Sequence, residues 1–130
     1  FVFMGGINNS YAAEFPAAES VYDGVVAVIR SLRARKPGAR LFLHSILPTS
    51  EWARNEELVK PVNKRLALLA STPEFSPFMI WLDLYPAFLD ANGQQNSMLF
   101  VDGLHPNEAG YRVWRDRLLD ALAKARLSSQ

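Results

Sequence analysis

The sequence contains no cysteine, and this absence excludes a disulfide framework, a thiol nucleophile and a thiolate metal site. Histidine is also scarce, because only His44 and His105 occur in 130 residues. Two histidines leave little room for a histidine-rich metal site. The chemistry of this chain is therefore expected to depend on oxygen and single imidazole groups.

An excess of one sign of charge is missing as well. Fourteen Lys and Arg residues against thirteen Asp and Glu residues give a net charge of +1. No broad basic field is available to bind nucleic acid or an anionic membrane. No apolar run approaches the roughly 18–20 residues of a membrane-spanning helix. With 49% hydrophobic and 21% charged residues, the composition is globular, and the length predicts one domain over residues 1–130.

Short apolar runs alternate with segments of helical periodicity along the chain. The runs predict buried strands over residues 1–4, 41–47 and 78–84, and the periodic segments predict helices over 17–35, 51–70 and from Pro106 to about 127. Pro106 is expected in the first turn of the last helix, and Pro61 is expected to begin a helix or kink one. Strands separated by helices predict an α/β fold in which helices cover both faces of a parallel sheet, giving three layers.

The chain begins inside an apolar run, Phe1–Met4, without an initiator Met or a polar lead-in. A buried strand requires neighbours on both sides, so we expect this chain to be the C-terminal part of a longer protein. Taken alone, it is expected to be poorly stable, or to self-associate or bind a partner chain along the strand Phe1–Met4.

Asp102 and His105 stand three residues apart in a glycine-containing turn that precedes the last helix. An Asp that accepts a hydrogen bond from one imidazole nitrogen fixes the tautomer and leaves the other nitrogen free to act as a general base. A lone D-x-x-H spacing is more often structural, with the Asp capping the turn and the His capping the helix. The spacing alone leaves both interpretations open.

A longer set of motifs resembles the SGNH, or GDSL-type, serine ester hydrolases. The string from Asp102 to Tyr111 is similar to their last block, D-x-x-H-P followed by a helix containing G-Y. The run Gly6-Ile7-Asn8-Asn9 is similar to their G-x-N-D block, and Asn in the last position resembles the platelet-activating-factor acetylhydrolase branch. Leu43–Thr49 resembles the strand and proline-containing loop between these blocks, and Asn63 with Leu66 resembles an N-x-x-L helix.

The resemblance implies a role for each matching residue. His105 would be the general base, Asp102 would orient it, and Asn8 would donate its amide to an oxyanion, with Gly6 shaping the turn. It also implies a flavodoxin-like sheet whose first strands are missing, because the family's Gly-Asp-Ser block is absent here. No nucleophile is therefore assigned within this chain. Ser10, Ser20 and Ser45 do not occupy a sharp strand-to-helix elbow that would expose one.

The resemblance thus implies an esterase or lipase-like hydrolase that acts through an acyl-enzyme, with its Ser upstream of residue 1. Its substrate would be a small ester such as an acylated sugar or lipid, and neither metal nor organic cofactor is implied. The alternative is a non-catalytic or degenerate module that binds or assembles. A nucleotide-binding domain is disfavoured, because Gly5–Asn9 matches no phosphate-binding motif. An exported or periplasmic location is slightly favoured over the cytoplasm.

Overall fold

The computed structural model describes residues 1–8 and 18–127. The strands are β1 (Val2–Phe3), β2 (Leu41–His44) and β3 (Met79–Leu82), and the helices are α1 (Ala18–Arg35), α2 (Trp52–Arg54), α3 (Lys60–Ala70) and α4 (Glu108–Leu127). A π-helical turn, Asn55–Val59, joins α2 to α3, and two 3₁₀ turns, Tyr85–Phe88 and Ser97–Leu99, precede α4.

The three described strands form a parallel sheet in the order β1-β2-β3. In this register Val2 pairs with Phe42, and Phe42 pairs with Ile80. The predicted α/β fold with a parallel sheet is thereby confirmed, although each strand is shorter than predicted. The apolar runs overestimate the strands because burial continues where strand pairing has ended: Ile46 and Leu47 lie beyond β2 and are still buried.

The described chain divides into two compact units. The first unit is Phe1–Ile46 with Glu51–Asp83, and the second unit is Leu47–Ser50 with Leu84–Gln130. In the first unit, α1 buries one apolar face, which includes Val21, Val25 and Ile29. Val28 also has the helical spacing of this face in the sequence, but it is half exposed, whereas Val26 is buried. The core-facing stripe of α1 therefore includes Val26 rather than Val28.

The segment Trp52–Ala70 is helical throughout, as predicted, and it passes through Pro61. Proline has no backbone N–H to donate to the carbonyl four residues earlier, so a regular α-helix is interrupted there. The regular hydrogen bonding is replaced by a π-helical turn that ends at Val59, immediately before α3. Pro61 thus occupies the first turn of α3.

The second unit begins its long helix later than the sequence predicts. Pro106 does not lie in the first turn of α4, because it forms an isolated antiparallel bridge with Phe100 and the helix starts at Glu108. The spacing of Tyr111, Trp114, Leu118 and Leu122 predicts one apolar stripe along α4, but this stripe is not fully buried; Tyr111 is 57% exposed. The ring of Tyr111 stacks on that of Trp114 with centroids 5.9 Å apart.

Candidate active site

Asp102 organises the turn that precedes α4. Its Oδ1 accepts hydrogen bonds from the backbone N–H of Leu104 at 3.0 Å and of His105 at 2.8 Å. Its Oδ2 lies 2.7 Å from Nδ1 of the His105 ring. One carboxylate therefore both shapes the turn and contacts the imidazole, so the structural and the catalytic interpretations of the D-x-x-H spacing describe the same contacts.

The charge of Asp102 fixes how the imidazole carries its proton. Hydrogen bonds from the His105 N–H, the His105 ring and the Leu104 N–H lower the pKa of the Asp102 carboxyl to about 2. An ionised carboxylate can only accept, so Nδ1 of His105 carries the hydrogen in this contact. In a neutral ring, Nε2 then holds the lone pair that a general base needs.

The Asp102–His105 pair is open to solvent. The side chain of His105 is 69% exposed and that of Asp102 is 52% exposed. A solvent-exposed contact of this kind contributes little to stability, since water screens it and both side chains lose freedom. The same exposure leaves the imidazole ring accessible from solvent.

Gly103 lies between these two residues in a backbone conformation that other residues rarely adopt, with φ +80°. A Cβ atom built there would lie 2.6 Å from Oγ of Ser50. The Gly103 carbonyl also accepts the Ser50 N–H at 3.0 Å. The turn is thus pressed against the segment Leu47–Ser50, which follows β2 in the chain.

Asn107 fixes the other side of the turn. Its Oδ1 accepts the N–H of Gly110 at 3.1 Å, and its Nδ2 donates to the carbonyl of Met98 at 2.8 Å. A Cβ atom on Gly110 would lie 2.3 Å from the Leu99 carbonyl oxygen, so only glycine permits this close approach. Asn107 lies within the Asp102–Tyr111 string, and an Asn immediately before a helical segment is a typical N-cap signal in sequence.

The other predicted site residues, Asn8 and Gly6, lie in the first unit. Asn8 is exposed and follows β1 after a short turn. Gly6 has φ +109°, and a Cβ there would lie 2.9 Å from Cγ1 of Val21. Asn9 and Ser10 lie outside the described residues. The structure brings Asp102 and His105 together, whereas the approach of Asn8 to His105 stays a prediction.

His44, the other histidine, is a core residue. It is 1% exposed at the end of β2, and burial lowers its pKa to about 4. Over residues 1–8 and 18–127, no three His, Asp or Glu side chains cluster in a way that could hold a metal ion. Within the same residues, none of the helices has the length and apolar character needed to cross a membrane.

Comparison with known proteins bears on both units. Residues 1–113 match the model of the GDSL-like lipase/acylhydrolase family. That range includes the Gly6–Asn9 run and the Asp102–His105 turn. No curated protein sequence matches the chain significantly.

Several solved structures share the fold. A GDSL-like lipase from Bacteroides thetaiotaomicron superposes with a TM-score of 0.73 at 20% identity, covering 95% of this chain and 62% of that one. A carbohydrate esterase of family 3 from Talaromyces cellulolyticus gives 0.72 at 24%, covering 95% and 56%. An acetyl esterase variant with an acetate ion gives 0.71 at 23%, covering 99% and 59%. The chain thus spans less than two thirds of the length of these structures.

Proposed function

Because the chain belongs to the GDSL-like lipase/acylhydrolase family, we propose that the complete protein hydrolyses a small acyl or acetyl ester through an acyl-enzyme. The observation that carries this proposal is the Asp102–His105 contact, in which an ionised carboxylate leaves Nε2 of the ring as the proton acceptor.

Each residue has a defined part in the proposed reaction. Nε2 of His105 removes the proton from a serine hydroxyl as its oxygen bonds to the ester carbonyl carbon, and the imidazolium then gives that proton to the departing alcohol. In the second half of the reaction, Nε2 removes a proton from water as its oxygen bonds to the acyl carbon, and the proton returns to the serine as the acid is released. Asp102 stabilises the imidazolium, and the Asn8 amide donates a hydrogen bond to the oxyanion, a contact that can contribute roughly 3 kcal/mol.

The nucleophilic serine of this mechanism is proposed to lie outside residues 1–130. The chain contains no Gly-Asp-Ser, and the family resemblance places that block before the G-x-N block. We infer that a segment upstream of Phe1 supplies it. The names of the similar structures, a carbohydrate esterase and an acetyl esterase, make acetyl esters of sugars the first natural substrates to test.

The test measures p-nitrophenyl acetate hydrolysis by the full-length protein and labelling of a serine by a fluorophosphonate probe. His105→Gln should lower kcat by at least about 10³-fold, because no group then accepts the serine proton. Near-wild-type turnover in a folded His105→Gln variant would refute the assignment. Absence of both hydrolysis and serine labelling in the wild-type protein would support the non-catalytic alternative instead.

Asp102→Asn tests the orienting role separately. It should lower kcat by roughly 10⁴-fold, because an amide that donates to Nδ1 would favour the wrong tautomer. Asp90 provides a matched control, since its Oδ1 accepts the N–H groups of Asn92 and Gln94 in a similar turn that contains no histidine. Asp90→Asn should leave kcat within about twofold of wild type. Equal losses in both variants would show that turn disruption, not imidazole orientation, is being measured.

A further inference from the structure

The Gln95 side chain connects the Asp102–His105 turn to a distant segment of the second unit. Its Nε2 donates to the carbonyl oxygens of both Pro48 and Gly103, each at 2.8 Å. An amide nitrogen carries two hydrogens, so these two bonds use its whole donor capacity. Pro48 lies 47 residues from Gln95 in the chain, and Gly103 lies 8 residues away.

The backbone of Gln95 is itself held in place. Gln95 forms an antiparallel bridge with Leu89, and the next N–H, of Asn96, donates to the Phe88 carbonyl at 2.9 Å. Phe88 is fully buried and packs edge-on against Phe100 with ring centroids 5.6 Å apart. The amide therefore projects from a rigid base, which a positioning group needs.

The Gly103 carbonyl receives two donors from outside the turn, the Ser50 N–H at 3.0 Å and the Gln95 amide. The two ends of the turn are joined by the Val101 N–H, which donates to the His105 carbonyl at 2.8 Å. Asp102 thus sets the orientation of the imidazole within the turn. The two bonds to Gly103 set where the whole turn lies relative to the segment Leu47–Ser50.

We propose that Gln95 is a positioning residue for the general base: by bonding the Pro48 and Gly103 carbonyls together, it holds the Asp102–His105 turn in the place where Nε2 can reach its proton donor. This inference rests on the proposed function. Gln95 touches no reacting atom, so its effect reaches the chemistry through the location of His105.

The central variant is Gln95→Met in the full-length protein, because Met keeps the length of the side chain and donates no hydrogen bond. Its matched control is Gln94→Met, since the neighbouring Gln94 is exposed and its side chain makes neither of the two bonds. Two measurements are made on each: steady-state kinetics with p-nitrophenyl acetate, and the NMR signal of the His105 Nδ1 proton, assigned by its loss in His105→Gln.

Gln95→Met should lower kcat by at least about tenfold with KM within about twofold, and should shift or broaden the His105 Nδ1 proton signal. Gln94→Met should change neither quantity. Gln95→Asn, which keeps the amide but is one methylene too short to span both carbonyls, should change both in the same direction by a smaller factor. This polar variant also serves if Gln95→Met does not fold.

An unchanged His105 signal in Gln95→Met and Gln95→Asn would overturn the inference, even if the melting temperature and kcat fall together, because that combination describes a structural role alone. The proposed function fails by a different result, namely full activity of His105→Gln. In that case the NMR signal still reports whether Gln95 positions the imidazole.

Discussion

Asn63 offers the sharpest test of how the first unit is held together. Its Oδ1 accepts the Ile46 N–H at 2.7 Å and its Nδ2 donates to the Ile46 carbonyl at 2.8 Å. Asn63 is 8% exposed, and Ile46 is 2% exposed. One side chain on α3 thus satisfies both backbone groups of a residue that lies beyond the end of β2.

Asn63→Leu removes both bonds and keeps the number and branching of the side-chain heavy atoms. It leaves one buried N–H and one buried C=O without their partner, at about 1–3 kcal/mol each, so the free energy of unfolding should fall by about 2–6 kcal/mol. The assay is urea unfolding of the full-length protein, followed by tryptophan fluorescence. A cost of this size lowers the urea midpoint without requiring a change in the slope of the transition.

Asn92→Leu is the matched control, because Asn92 lies exposed in the turn before Gly93 and none of the described hydrogen bonds involves its side chain. It should change the free energy of unfolding by less than about 0.5 kcal/mol. A loss below about 1 kcal/mol in a natively folded Asn63→Leu variant would refute the reasoning, since it would mean that the Ile46 groups are satisfied without Asn63.

Two further expectations concern His44 and the helical glycines. Burial lowers the pKa of His44 from 6.5 to about 4, so between these pH values the unfolded chain binds a proton that the folded chain does not. The free energy of unfolding in urea should therefore fall by about 3 kcal/mol as the pH falls from 6.5 to 4. The same pH dependence in the wild-type protein and in His44→Leu would contradict this expectation. Gly110→Ala should cost about 1–3 kcal/mol, because its Cβ would lie 2.3 Å from the Leu99 oxygen. Gly24→Ala, where a Cβ meets open space inside α1, should instead stabilise by about 0.5–1 kcal/mol, and equal effects at the two glycines would show that the Leu99 contact is not limiting.

The sequence predicts those features whose determinants are local. The order of strands and helices follows from periodicity, and the Asp102–His105 contact follows from a three-residue spacing inside a glycine turn. The sequence places the start of α4 at Pro106, because proline suits a first helical turn. The bridge from Pro106 to Phe100 and the Asn107 cap move the start to Glu108. The proline signal and the Asn cap signal compete within two residues, and the pairing of Pro106 with Phe100 selects the Asn cap.

The roles of Gln95 and Asn63 could not be predicted in this way. Both side chains bond to backbone carbonyls or N–H groups far along the chain, and such groups leave no mark in the sequence because every residue carries them. The motif resemblance singled out Asn63 with Leu66 without a mechanism, and the hydrogen bonds to Ile46 now give one. Gln95 carried no signal beyond its position after the Asn92-Gly93 turn.

Because β2 lies between β1 and β3, its backbone amides form two groups that exchange with solvent by different routes. The Phe42 N–H donates toward β1, to the Phe1 carbonyl, whereas the N–H groups of Leu41 and Ser45 donate toward β3 and its flanking residue, to the carbonyls of Phe78 and Leu82. Neighbouring amides of one fully buried strand are therefore governed by separate opening events: deuterium reaches Phe42 when the pairing of β1 with β2 opens, and it reaches Leu41 and Ser45 only when the contact with β3 is broken.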